Sequence, residues 1–264
     1  MIEFLDEKYI NCEKPLPLTN IEKIWIKSIL SNRRAKLFFS EESFEILSKE
    51  YADIENIYER QSVKYYDKDV FSEYIDDYYI DNFKKILEAI KDKRVIKIDY
   101  VSRNGNSLCE AYLPYKILYS AKKEKFELLA FLMHDRKPEL AYKIDISRIY
   151  EVTEIYREYD DNYDLEKLLA TRMCEKPVVL QVFNRNFAYN RIVKDMAIYK
   201  CNVEDNEDGT YNVTISYDKQ DEGDLLSDIL SYGPNVKVIA NDKMIEEVKK
   251  RALKQYQLLF GNNK

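Results

Sequence analysis

This chain of 264 residues is poor in the residues on which most site chemistry depends: it has one histidine, four cysteines, five glycines and one tryptophan. Cys12, Cys109, Cys174 and Cys201 stand far apart with no Cys-x-x-Cys, which excludes the usual Cys/His metal spacings and reads as reduced thiols in a cytoplasmic protein. No Gly-rich phosphate loop can be built from single, scattered glycines, and there is no Gly-x-Ser-x-Gly elbow or His-Glu-x-x-His pair. The lone His134 sits beside Asp135 at a strand end, and no carboxylate pair is singled out by its spacing for acid–base work. The run Asp160-Asp161-x-x-Asp164 lacks the glycine and terminal glutamate of a calcium loop and reads as a solvated linker. No enzyme class, catalytic residue, metal or cofactor is therefore expected. No run of about 18 apolar residues is present, so no membrane span is expected. The start, MIEFLDEKYINCEK, is acidic and unlike a secretion signal.

What is present is charge, tyrosine and alternation. The net charge of −6 argues against non-specific coating of nucleic acid, but its distribution is uneven. Residues 41–83 hold thirteen acids against four bases, and residues 84–148 hold fifteen bases against nine acids. An acidic helical region thus precedes a basic one, whose surfaces either touch, stand solvated, or leave an anion-binding face.

The stretch Arg94–Ile149 alternates apolar and polar residues over four short runs, and Ile149–Ile155 supplies a fifth. Asn104-Gly105-Asn106 is hairpin chemistry, and Pro114 inside the second run marks an edge or a bulge. Five antiparallel strands behind a helix over Tyr78–Lys91 suit a small bent barrel of the SH3/Sm type. Upstream, Thr19 and Glu22 form a capping box, and Ile21, Ile24, Trp25, Ser28 and Ile29 predict one buried stripe. Arg33-Arg34 read as a helix C-terminal charge pair, and Ser40 starts a second helix with Phe44, Leu47, Tyr51 and Ile54 on its apolar face. That second helix carries Glu41, Glu42, Glu45, Glu50, Asp53, Glu55 and Glu59 against one lysine, which makes it a poor reader of a DNA groove. Residues 60–77 read as a loop or short paired strands, and residues 156–164 as an acidic linker. From Lys176 the pattern runs β-α-β-β-α-β, the order of a ferredoxin-like split βαβ fold.

The order of residues in the central stretch resembles the WYL domain of bacterial transcriptional regulators. In that family a helix leads to a strand ending in Tyr, here Tyr100, then to a strand containing Pro, here Pro114-Tyr115. Phe126-Glu127-Leu128 stands at the namesake Trp-Tyr-Leu strand, with only Leu128 identical, and Tyr142-Lys143-Ile144-Asp145-Ile146-Ser147-Arg148-Ile149 closes the pattern. The PYKILYSAKKEKFELLA and PLTNIEK blocks look like a subgroup from low-GC Gram-positive bacteria. The resemblance implies an α+β chain with an N-terminal helical region (1–77), a WYL-like five-stranded Sm/SH3-like barrel with its leading helix (78–158), a linker (159–175) and a ferredoxin-like C-terminal extension (176–264). Relatives carry more helical sequence before the PLT segment, so a DNA-binding module is expected to be missing or reduced here.

Tyr100, Arg103, Lys116, Tyr119, Lys122, Lys125, Tyr142, Lys143 and Arg148 mix rings with cations, which suits anionic, base-bearing ligands: cations take phosphates and rings stack bases. Each taken alone is equally an ordinary core tyrosine or solvated lysine. The resemblance adds Ser102 beside Tyr100, Lys143 and Arg148 at polar pocket positions, and Phe126 at the Trp position. The expected ligand-binding set is Tyr100, Ser102, Arg103, Tyr119, Phe126, Tyr142, Lys143 and Arg148. The leading expectation is an effector-sensing regulator or regulatory subunit, homodimeric, taking a nucleotide or single-stranded nucleic acid and working with a DNA-binding partner protein. Alternatives are a direct single-strand nucleic-acid binder and an assembly protein that grips an acidic partner.

Overall fold

The computed structural model describes residues 17–55, 76–102, 105–120, 124–155, 163–183 and 187–261. Arg103, Lys122, the acidic run from 156 to 162 and nearly all of the 60–77 segment lie outside them. The described residues form an α+β chain with two antiparallel sheets and seven α-helices. The chain divides into two compact units, Met1–Arg136 with Ile144–Tyr159, and Lys137–Lys143 with Asp160–Lys264.

In the first unit α1 (Asn20–Leu30) begins at Thr19, whose Oγ1 accepts from the Glu22 amide at 3.3 Å while Glu22 Oε2 accepts from the Thr19 amide at 2.7 Å. These bonds hold the Glu22 carboxyl below its usual range. The expected buried stripe is corrected by the structure. Ile21, Trp25 and Ile29 are exposed, Trp25 at 60%. Ile24 and Ser28 of that stripe are half-buried, and the packed side runs through them and on to Lys23, Ile26, Lys27 and the buried Leu30. A lysine can line such a side because its stem lies on the surface while its ammonium finds an oxygen: Lys27 Nζ donates to the Ala52 carbonyl at 3.3 Å. A one-turn 3-10 segment (Arg33–Leu37) leads to α2 (Glu41–Glu50), capped by Ser40. Arg34 is not a helix-end charge. Its Nη2 donates to the Glu124 carbonyl at 2.6 Å, 90 residues away.

α3 (Asp77–Lys91) starts at Asp76; of the face its helical spacing marks, Tyr79, Phe83, Ile86, Leu87 and Ile90, the first three are buried and the last two half-buried, and Ala89 is buried with them. It packs on β2 (Ser107–Ser120) and β5 (Ile149–Glu154). The buried Asn82 fastens it: Oδ1 accepts from the Val152 amide at 3.0 Å and Nδ2 donates to the Tyr150 carbonyl at 3.1 Å. Both ends of one amide are thus satisfied by β5, which a helix side chain must achieve to be buried at low cost.

β1 (Ile96–Val101), β2, β3 (Lys125–His134), β4 (Lys137–Asp145) and β5 pair in the order β4-β3-β2-β1-β5. Ile96 and Ile98 point into the core and Lys97 away from it, the alternation of a half-buried strand. Register with β3 shifts between Pro114 and Lys116, so the proline sits at a bulge as its missing donor requires. Gly105 has φ +82° in the β1–β2 turn, the conformation Asn-Gly hairpins use. The expected closed barrel is not formed. β4 and β5 are the two edges of an open sheet, because the 3-10 turn Ile146–Arg148 carries the chain from one edge to the other without pairing them.

The second unit contains α4 (Leu165–Ala170), β6 (Val178–Phe183), α5 (Ala188–Met196), β7 (Lys200–Asp205), β8 (Thr210–Ser216), α6 (Glu222–Ser231), β9 (Val236–Ala240) and α7 (Asp242–Phe260). From β6 onward this is the β-α-β-β-α-β order expected from the sequence, and the sheet order is β7-β8-β6-β9. Val178, Leu180, Val182, Val213 and Ile215 meet Ile192, Met196, Leu225, Ile229 and Met244, so α5, α6 and α7 all feed one core. Gly209 (φ +82°) makes the β7–β8 turn, and Gly233 (φ +54°) follows the end of α6.

Candidate functional site

The residues singled out in the sequence fall into three places. The first is the region where β1 and β4 end and β3 begins. Asp145, the last residue of β4, turns its Oδ1 to cap the 3-10 segment, accepting from the Ser147 amide at 3.0 Å and the Ser147 hydroxyl at 2.5 Å. Its Oδ2 faces two cations from different elements. Lys125 Nζ lies at 3.7 Å and Arg148 Nε at 3.8 Å. Both distances exceed hydrogen-bond reach, so the carboxylate attracts these cations without binding either through a direct bond. Arg148 Nη1 donates instead to the Ser102 carbonyl at 3.1 Å, and Ser102 Oγ accepts from the Asn106 amide at 3.1 Å. Two cations against one carboxylate leave one positive charge, and the Arg148 side chain is 41% exposed.

Tyr100 stands beside this group on β1, paired across the strands with Ile149, and its hydroxyl is 3.2 Å from that of Tyr112. Lys97, further back on β1, is exposed, and its hydrogen bond with Cys109 holds its ammonium above the usual range, with the charges of Cys109 and Asp99 adding to this.

The second place is the other face of the β2–β3 ribbon. Tyr119 pairs with Phe126 and Ser120 with Lys125, and successive residues of a strand face opposite ways. The rings and the Lys125–Asp145–Arg148 group therefore lie on different faces. Phe126 is buried, its ring centroid 5.2 Å from that of Phe83, 6.0 Å from Phe38 and 5.0 Å from Tyr119. The Arg34 guanidinium lies 5.3 Å from the Tyr119 ring centroid. Phe126 thus packs among its own chain's rings, and Tyr119 meets it at a tilt of 50° with the Arg34 guanidinium also against its ring.

The third place belongs to the second unit. Lys143 Nζ is 2.6 Å from Asp221 Oδ2 and 3.7 Å from Asp218 Oδ2, and its amide donates to Gln220 Oε1 at 3.0 Å. Arg172, buried, donates from Nε to Asp218 Oδ2 at 2.7 Å and from Nη2 to Gln220 Oε1 at 3.0 Å, with Nη2 also against Asp218. Lys143 is therefore engaged by carboxylates of its own unit. Tyr142, its neighbour on β4, is half-buried.

Of the eight expected residues, then, the structure groups Ser102 and Arg148, with Tyr100 on the neighbouring strand, sets Tyr119 and Phe126 on the other face of the ribbon, and pairs Lys143 with carboxylates of the second unit. Two members of the group stand outside the expected set: Lys125, named only among the mixed rings and cations, and Asp145. The signal for Asp145 was local: Asp145-x-Ser147-Arg148 puts a carboxylate three residues before a guanidinium across one tight turn. Among the described residues no three His, Cys, Asp or Glu side chains cluster to hold a metal, and no helix is long and apolar enough to cross a membrane.

The chain matches no protein-family model and no curated protein sequence. Among solved structures it is similar to proteasome accessory factor B/C (PafBC) of Arthrobacter aurescens, at 15% identity and a TM-score of 0.34, over 94% of this chain and 38% of that one. It is similar also to a CRISPR Cas-related protein, at 15% identity and a TM-score of 0.46, over 69% of this chain and 52% of that one. The chain thus spans about two fifths and about half of these two proteins. Likeness at this level is partial overlap in architecture and says nothing of what this chain binds.

Proposed function

We propose that this chain is the effector-sensing part of a WYL-type transcriptional regulator, and that its effector is anionic, a nucleotide or single-stranded nucleic acid. The observation that carries the reading is the pair of cations, Lys125 and Arg148, brought from different elements to one carboxylate without a direct hydrogen bond to it. They lie in the stretch whose Tyr100, Ser102 and Arg148 carry the sequence resemblance. In this reading the first sheet is an opened relative of the Sm/SH3 barrel and the β-α-β-β-α-β unit is a ferredoxin-like extension through which copies associate. The acidic α2 is no groove reader, so promoter recognition falls to a partner protein or to sequence outside this chain.

The test is a titration of the purified chain with nucleotides and short single strands over a range of salt, with mass measured in parallel. Saturable binding of one ligand with a change in oligomeric state supports the reading. Binding of any strand, falling steeply as salt rises, points to a general single-strand binder instead. Sequence-specific nanomolar binding of duplex DNA by this chain alone would sink the division of labour.

A further inference from the structure

We infer that Asp145 is a tethered competitor for the anion site, and that the group it competes with is a dianionic phosphate monoester; this rests on the anionic-ligand reading above. Asp145 Oδ2 is the acid oxygen that Lys125 and Arg148 share, at 3.7 and 3.8 Å, so an anion that drew on both cations would have to contend with it. Its partner oxygen is anchored by Ser147, so the carboxylate is held in place by a local turn rather than by the cations. A carboxylate that is part of the chain is present at a high effective concentration, and a free anion of equal charge gains little by replacing it. A dianion gains more, because two positive charges then meet two negative ones. If Asp145 stays in place instead, the remaining single positive charge still attracts a dianion more than a monoanion. Either way the carboxylate weakens anion binding and leaves the monoester preferred over a diester.

Asparagine is the informative substitution. It keeps the Oδ1 acceptor for the Ser147 amide, so the turn is preserved while the charge is lost. Adenosine 5′-monophosphate and its 3′,5′-cyclic counterpart serve as probes, since they share a base and a sugar and differ in phosphate charge. The wild-type chain should bind the 5′-monophosphate at least about tenfold more tightly than the cyclic ester. Asp145→Asn should tighten the 5′-monophosphate by about fivefold or more, the scale of one fully water-screened charge–charge contact at about 4 Å. It should raise the cyclic ester as well, since one lost competitor helps both. Asp145→Asn that binds the 5′-monophosphate no better than wild type, with an unchanged melting temperature, overturns the inference. So does equal wild-type binding of the two probes. Failure of the reading looks different: neither chain binds either probe, or Arg148→Gln binds as well as wild type.

Discussion

The two units each bring cations and carboxylates together, and they do so in opposite ways. Around Asp218 the contacts are short and enclosed: Arg172 donates at 2.7 Å, Lys143 meets Asp221 at 2.6 Å, and the side chains of Arg172 and Asp218 are 7% and 12% exposed. Around Asp145 the corresponding distances are 3.7 and 3.8 Å, and Arg148 is far more open to solvent. Charges removed from water must be repaid by close, directed bonds, so the enclosed group has little freedom to exchange partners. In the Asp145 group the carboxylate and Lys125 are 17% and 21% exposed, so the added hydration belongs to Arg148, at 41%, and no direct bond forms across the pair. Identical residue types thus form a directly bonded clamp in one unit and a looser group without a direct bond in the other, with distance and the exposure of Arg148 making the difference.

The sharpest way to break that comparison is to remove a cation from each side. Arg172→Ala leaves Asp218 buried and short of its guanidinium, and it should destabilise the chain by about 3–5 kcal/mol, read as a drop in denaturant midpoint. Anion binding at the first sheet, measured at low denaturant, should survive. A midpoint shift below about 1 kcal/mol would mean that the enclosed group is no clamp.

Lys143→Met comes next. Its side chain is 19% exposed and its stem can be kept by methionine, so the expected loss is smaller, about 1–2 kcal/mol. Affinity for a phosphate-bearing ligand should be unchanged once stability is accounted for. A selective loss of affinity with normal stability would return Lys143 to the ligand set expected from the sequence.

Local chemistry was legible in the sequence, and long-range partnership was not. The capping box at Thr19 and Glu22, the bulge at Pro114, the turn at Gly105 and the order of elements from Lys176 onward all follow from groups within a few residues of one another. The apolar face of α3 was legible for the same reason. The packed side of α1 was not, because Lys23 and Lys27 read as polar although their stems line it. Asn82 reads as an ordinary helix residue until β5, about 70 residues later, supplies partners for its amide. Lys143 reads as a strand cation until Asp221, 78 residues on, is found against it. Phe126 entered the expected ligand set by its place in the resemblance and Tyr119 as a ring among cations, and neither signal says whether the ring is covered by its own chain.

The smallest stability effect should come from Arg148, and it bears most on function. Its pair with Asp145 is long and its side chain 41% exposed, so Arg148→Ala should change stability by no more than about 1 kcal/mol, as surface pairs do. Its bond to the Ser102 carbonyl tethers the end of β1, but that carbonyl can turn to water instead. Affinity is another matter. A guanidinium offers a planar fork of donors to phosphate oxygens, and hydrogen bonds to charged groups are worth about 1.5–3 kcal/mol, so the loss should be roughly tenfold or more. Arg148→Lys keeps the charge without the fork and should fall between wild type and alanine. Equal stability with a graded affinity series would mark Arg148 as a ligand contact. A series in which affinity falls only as far as the protein unfolds would make it a strut, and the contrast between the two units would then collapse into two clamps of different strength.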